Sequence, residues 1–293
     1  MKKATLLLIA LTFAGCGYFD KKEESPDNIG DVNDLRAEFD AQKHRLGETA
    51  DENGWIVNDC DGFEWNGLFA AVGGTPDLYA AEIEPGKFHR RPSGNCSYTW
   101  SRDMCINGML PYALMTRDRQ ILEDHAAYGE ANKVIDSTGV PAWQMGEPLG
   151  DLRTVYTPSL IGIIYEAIAW LGGPDNTQRG WPPVYPSGLD DFKAMLQMRE
   201  IWARSYTSTN GDLAQIRRVA FERIEEHAAR EPDCPFYEYM HAKYTDGDFQ
   251  DAINLLLANP GAPACQSIRC DGSEACFQAE WLWAAKLVLS EFE

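Results

Sequence analysis

From residue 62 to the C-terminus, apolar side chains recur every three or four positions in blocks separated by clusters of Gly, Pro, Asn and Asp. That period marks helices with one buried stripe, and the clusters are where helices stop. The spacing predicts helices over 62–72, 99–116, 118–134, 157–171, 190–209, 212–230, 235–244, 249–257 and 277–292. Three pairs read as helical hairpins: 99–116 with 118–134, 190–209 with 212–230 around Asn210-Gly211, and 235–244 with 249–257 around Asp246-Gly247. The block at 157–171 is punctuated at both ends. Thr157 can cap it, Pro158 takes the first helical position where no N–H is needed, and Gly172-Gly173 ends it. Residues 174–188 are a Pro/Gly-rich loop, and strand patterning is confined to a small hairpin of 80–83 with 87–90.

Two blocks, 104–115 and 160–171, are apolar on nearly every side, whereas 118–134 keeps a polar face. A helix that is hydrophobic all round has to be buried all round. Inner helices alternating with amphipathic outer ones predict an all-α fold, with helical hairpins in a compact or incomplete α/α barrel. A multi-layered bundle would give the same pattern. Pro111, inside the first apolar block, predicts a kink or a local break.

Composition narrows the class. The 293 residues carry a formal charge of −19, and 44% are hydrophobic. The apolar fraction excludes wholesale disorder. The acidity argues against a general nucleic-acid partner, since phosphate neutralisation needs a Lys/Arg surplus. No apolar run reaches the roughly 18 residues of a membrane span. At the N-terminus, Lys2 and Lys3 precede a short apolar stretch, the pattern of a signal peptide over 1–15. It ends Phe13-Ala14-Gly15-Cys16, which resembles a bacterial lipobox. The resemblance implies lipidation of Cys16 and a membrane anchor at the cell envelope. Gly17, where an Asp would signal inner-membrane retention, favours the outer membrane. Residues 16–50 then read as a lipidated tether (17–30) followed by a short docking helix (32–46), and 51–293 as the helical domain.

An exported chain can form disulfides. Of eight cysteines, Cys105 lies in an apolar helix and reads as a buried free thiol. Cys60 is expected to pair with Cys96, and two further bonds are expected among Cys234, Cys265, Cys270 and Cys276. The five His residues are scattered, and the cysteine spacings fit no common zinc pattern, so no metal and no cofactor is inferred. Nucleophile triads, phosphate loops and dinucleotide fingerprints are absent.

The unusual polar residues concentrate between Asp59 and Arg153. Asp61 and Glu64 stand with Trp65 at a helix start, and His89-Arg90-Arg91 is a basic knot. Tyr98-Thr99-Trp100-Ser101-Arg102-Asp103 leads into the apolar helix, and Gly146-Glu147-Pro148 with Asp151 and Arg153 precedes the next one. Charges at the mouth of a buried helix must be paired or face a cavity. The Tyr98–Asp103 segment is similar to the Tyr-Thr-Trp-Thr-Arg-Asp segment of glucoamylase-type α/α-barrel glycoside hydrolases. The Gly146-Glu147-Pro148 turn, followed by Arg153, resembles that family's Gly-Glu-Pro loop and the Arg-bearing helix entrance after it. The likeness spans about sixty of the 293 residues and lacks the family's general-acid motif. It implies that Trp100, Arg102 and Asp103 contact a sugar ring, with Arg153 nearby.

Glycoside hydrolysis needs two carboxyls, one protonated and one ionised. The candidates are Asp61, Glu64, Asp103, Glu147, Asp151 and Glu166. Glu147 is the preferred general acid, its pKa expected to rise through burial, and Asp61 or Asp103 the second carboxylate. Arg91, Trp100, Arg102, Glu64, Asp151 and Arg153 would bind the carbohydrate. The same set could bind a glycan without turnover. A third reading comes from Tyr244, Gly247, Ala252, Leu256 and Pro260, near the spacing of one tetratricopeptide repeat. It makes the chain a helical scaffold lipoprotein that binds other envelope proteins.

Overall fold

The computed structural model describes residues 26–293 except 95, 98, 136, 148–153, 176–184, 209, 246, 263–264, 266 and 268–272. Ten α-helices account for most of the described residues, so the all-α expectation holds. Helix α1 (Pro26–Gly47) starts earlier than expected, taking in residues assigned to the tether. It buries Val32, Leu35, Phe39 and Leu46 against α9 (Gln250–Ala258) and α10 (Glu274–Leu289). Among the described residues no helix is long and apolar enough to cross a membrane.

The sequence punctuation is realised physically. The Thr157 side chain accepts from the Leu160 N–H at the start of α5 (Pro158–Trp170), and Gly172 takes φ +84° after it. Asp118 and Asp190 cap α4 (Arg119–Ala131) and α6 (Asp191–Thr207) in the same way. The three hairpins form: α3 (Leu110–Thr116) packs on α4, α6 on α7 (Asn210–Arg230), and α8 (Pro235–Tyr244) on α9. Pro111 marks a real break, sitting in the first turn of α3 immediately after a π-helical segment, Met104–Met109. Proline has no N–H to offer the preceding turn, so the widened helix resumes α geometry where that donor is dispensable.

Strands do more than expected. Besides the small hairpin β1 (Glu82–Glu84) with β2 (Lys87–Phe88), a three-stranded sheet forms from β3 (Lys133–Ile135), β4 (Pro141–Gln144) and β5 (Val155–Tyr156). Both pairings in that sheet are antiparallel, and β4–β5 sets Trp143 opposite Tyr156. The expected helix over 118–134 therefore ends at Ala131. Gly139, at φ +83°, supplies the left-handed turn between β3 and β4.

The inner layer depends on one close approach. Every residue of α2 (Gly62–Ala71) is buried, and α2 packs on the π-helical segment, on α3 and on α10. A Cβ on Gly67 would lie 2.6 Å from the Gly108 Cα, and one on Gly108 would lie 2.9 Å from the Glu64 Cα. The two backbones touch because neither residue has a side chain. Contacts continue from α3 to α5, α5 to α6, α6 to α8 and α8 to α10, which packs against α2.

Disulfides join Cys60 to Cys96 and Cys234 to Cys265, and Cys105 is a buried free thiol, all as expected. Cys276 is also disulfide-bonded, whereas Cys270 lies outside the described residues.

Since Gly67 faces backbone and not a yielding side chain, Gly67→Ala forces the two inner helices apart. Urea unfolding should show a loss of about 2 kcal/mol, the usual size of overpacking in a dense core. An unchanged midpoint would show that the crossing tolerates a methyl group.

Candidate functional site

The two segments that carry the family resemblance meet in space. The Thr99 N–H donates to the Glu147 carbonyl at 3.1 Å, and the Glu147 N–H donates to Thr99 Oγ1 at 2.5 Å. Gly146 permits this, because a Cβ there would approach the Trp100 Cβ to 2.8 Å.

Trp100 itself is fully buried. Its indole N–H donates to the Tyr156 hydroxyl at 2.6 Å, and that hydroxyl lies 2.9 Å from His125 Nε2. His125 Nδ1 is 2.8 Å from the Gly86 carbonyl. A carbonyl can only accept, so Nδ1 carries the proton and Nε2 accepts from Tyr156. Burial lowers the His125 pKa to about 4, which keeps the ring neutral. The Trp100 indole packs edge-on against Phe63, ring centroids 4.7 Å apart. Trp100 is thus a core residue in this conformation, with no face turned outward for a sugar. Cys105 belongs to the same cluster, and burial pushes its thiol up to about 12, which leaves no thiolate for nucleophilic work.

Most of the other expected site residues are engaged by the protein. Glu147 does not have the burial expected of it: its side chain is 61% exposed and pairs with Lys87 at 3.2 Å. Asp61 pairs with Arg90 at 2.8 Å, and Arg90 also donates to the Cys60 carbonyl and to Ser101 Oγ. Arg91 donates to the Asn58 carbonyl at 2.8 Å. These contacts, with the Cys60–Cys96 bond, lock the 58–61 turn to the basic knot and the start of the π-helical segment. Glu166 pairs with the buried Arg204 at 2.7 Å. Cys16, Tyr98, Asp151 and Arg153 lie outside the described residues.

Glu64 is different. It is buried on α2 and accepts a hydrogen bond from Asn107 Nδ2 at 2.6 Å, a contact made possible by the Gly67–Gly108 crossing. Burial raises its pKa well above the ordinary 4.5, the negative charge of Asp103 adds to the rise, and Arg199 opposes it. Arg199 is itself fully buried and ion-paired with Glu280, its guanidinium 4.5 Å over the Trp283 ring.

Across the π-helical segment stands Glu200, on α6, which packs against that segment just as α2 does. Glu200 is partly exposed and has no hydrogen bond or ion pair among the described residues. Burial raises its pKa to about 7 against the pull of Arg204 and Arg102. Arg102 is exposed, Asp103 is partly exposed, and neither has a hydrogen bond or ion pair among the described residues. Asp103 occupies the N-cap position of the π-helical segment without spending its side chain on a cap bond. Among the described residues, Arg102 and Asp103 are therefore unspent polar groups at the N-terminal end of the inner π-helical segment and Glu200 is one on the helix packed against it, and a carboxyl poised near neutrality is suited to both giving and taking a proton. Reading the sequence overlooked Glu200. The available signal was Arg199, Glu200 and Arg204 close together on a strongly helical block, with Glu280 set beside Trp281, Leu282 and Trp283.

No group of three His, Cys, Asp or Glu residues placed to hold a metal ion occurs among the described residues. Compared with protein families, with curated proteins and with solved structures, the chain matches none.

Glu64 provides a pH-dependent test. A carboxyl whose pKa rises on folding contributes its full stability below its unfolded value of 4.5 and loses it as pH rises toward the folded value. Glu64→Gln keeps the shape and gives Asn107 Oδ1, which has no partner, a possible donor. The variant should be more stable than wild type at pH 7, with the gap closing as pH falls to 4.5. A gap that is independent of pH in denaturant titrations would mean Glu64 is ionised in the folded protein.

Proposed function

We propose that this chain is an envelope-anchored lipoprotein that binds a carbohydrate and hydrolyses a glycosidic bond at the Arg102–Asp103–Glu200 mouth. The observation that carries this reading is Glu200, a partly exposed carboxyl without a hydrogen bond or ion pair among the described residues, raised to about 7 by burial and felt by Arg102 of the resembling segment. Glu200 takes the acid role that the sequence suggested for Glu147. It gives its proton to the glycosidic oxygen as the bond to the anomeric carbon breaks, and Asp103 supports the attack of water or attacks that carbon itself. Water completes the cleavage, leaving a hydroxyl on each fragment. Arg102 donates to sugar hydroxyls.

The helix contacts that pass from α2 through α3, α5, α6, α8 and α10 back to α2 support an α/α-barrel arrangement, with α1, α4, α7 and α9 outside. In that arrangement the N-terminal end of the π-helical segment opens at one face. Lipidation of Cys16 would place that face at the cell envelope, most favourably the outer membrane.

Glu200→Gln should lower kcat/KM on the cleaved glycan at least about 100-fold, the usual worth of a positioned acid. Asp103→Asn should do the same, and neither should lower the Tm. Wild-type kcat/KM should fall as pH rises above about 7, where Glu200 loses its proton. Turnover that survives Glu200→Gln would remove Glu200 from the chemistry. Cys16→Ser should move the protein from the membrane to the soluble fraction of the exporting cell.

A further inference from the structure

Two of the exposed large aromatic side chains meet although they belong to different helices. Trp170 is the last residue of α5 and Tyr206 lies in the last turn of α6; they are 36% and 38% exposed. Their rings stand edge to face with centroids 5.2 Å apart. Arg117, exposed at the C-terminal end of α3, holds its guanidinium 5.3 Å over the Trp170 ring. It does so from a left-handed backbone, φ 63° and ψ 28°, and it is the one non-glycine residue with positive φ among the described residues. Glycine would adopt that conformation without strain, whereas an arginine is strained there.

The polar edges of this patch are unspent. The Trp170 indole N–H, the Tyr206 hydroxyl and the Arg117 guanidinium have no hydrogen bond or ion pair among the described residues. An apolar protein partner or a lipid surface would cover these donors without satisfying them, which opposes binding. A hydroxyl-rich ligand with flat C–H faces satisfies both halves of the patch: the ring faces stack on pyranose C–H bonds while the donors reach hydroxyl oxygens. The patch is also separate from the mouth. At about 1.5 Å per residue, Arg117 lies roughly 20 Å beyond Asp103 along the same helical run, and Tyr206 roughly 9 Å beyond Glu200 along α6.

We propose that Arg117, Trp170 and Tyr206 form a second glycan-binding surface that holds a longer chain of the same carbohydrate outside the cleavage site. The inference rests on the carbohydrate reading above, so its test separates the two. Calorimetric titration of the full-length protein would use maltoheptaose, cellohexaose and chitohexaose, each beside the trisaccharide of its series, in the Glu200→Gln background to prevent turnover. One long oligosaccharide should bind at least about tenfold more tightly than its trisaccharide. Trp170→Ala and Tyr206→Ala should each abolish that difference and leave trisaccharide binding unchanged. Arg117→Gly should do so as well while raising the Tm, a combination that a purely structural arginine would not produce. Variants that keep the full preference for the long chain would overturn the second surface and leave the mouth intact. Failure of every oligosaccharide to bind would overturn both readings.

Discussion

The inner layer is built around a place where two helices touch backbone to backbone. At Gly67 and Gly108 there is no room for a Cβ, so α2 and the π-helical segment approach more closely than side chains would allow. Three consequences follow from that one constraint. Glu64, one turn before Gly67, is pressed into the interior. Asn107, the neighbour of Gly108, becomes its hydrogen-bond partner. Asp103, at the start of the same segment, is brought near enough to raise the Glu64 pKa further. The π geometry, with Pro111 ending it, lets the chain shift register between this crossing and the regular turns of α3.

Around the crossing, the protein divides its charged groups into those it uses and those it leaves open. Asp61, Glu147 and Glu166 are held by Arg90, Lys87 and Arg204, partners that fasten loops and helices together. Arg199 and Glu280 form a buried pair among aromatic rings. Burying charge in this way is expensive unless the geometry is good, and Arg199 Nε and Nη1 have no hydrogen-bond partner among the described residues to offset it. Against that background, Arg102, Asp103 and Glu200 stand out for having no hydrogen bond or ion pair among the described residues. The fold pairs many of its acids and leaves one partly exposed carboxyl near neutrality, which is the feature that the proposed acid role rests on.

The segment that resembles a sugar subsite serves two purposes. One of its aromatic members, Trp100, goes into the core, where its N–H donates to the Tyr156 hydroxyl, which itself donates to a neutral His125. Its charged members, Arg102 and Asp103, remain at the mouth. One short motif thus anchors the inner helix through Trp100 and leaves two charged groups at the helix's N-terminal end.

Much of this was legible in the chain. The three-to-four-residue period located the helices, Thr157, Pro158 and Gly172 bounded one of them, Pro111 announced a break, and Cys105 read as a buried thiol. These features are local, governed by backbone donors, φ preference and side-chain periodicity within a few residues, so a single segment carries the information. The strand β3, written into the end of a helical pattern, escaped because its pairing with β4 and β5 outweighed local propensity. The fate of the carboxylates was settled only in three dimensions. Asp61 meets Arg90 across 29 residues and Glu147 meets Lys87 across 60, whereas Glu200 meets no partner at all among the described residues. Periodicity says which face of a helix a charge occupies. Whether another charge waits there depends on how distant helices pack, and that packing turned the expected acid into a surface ion pair and an overlooked glutamate into the candidate.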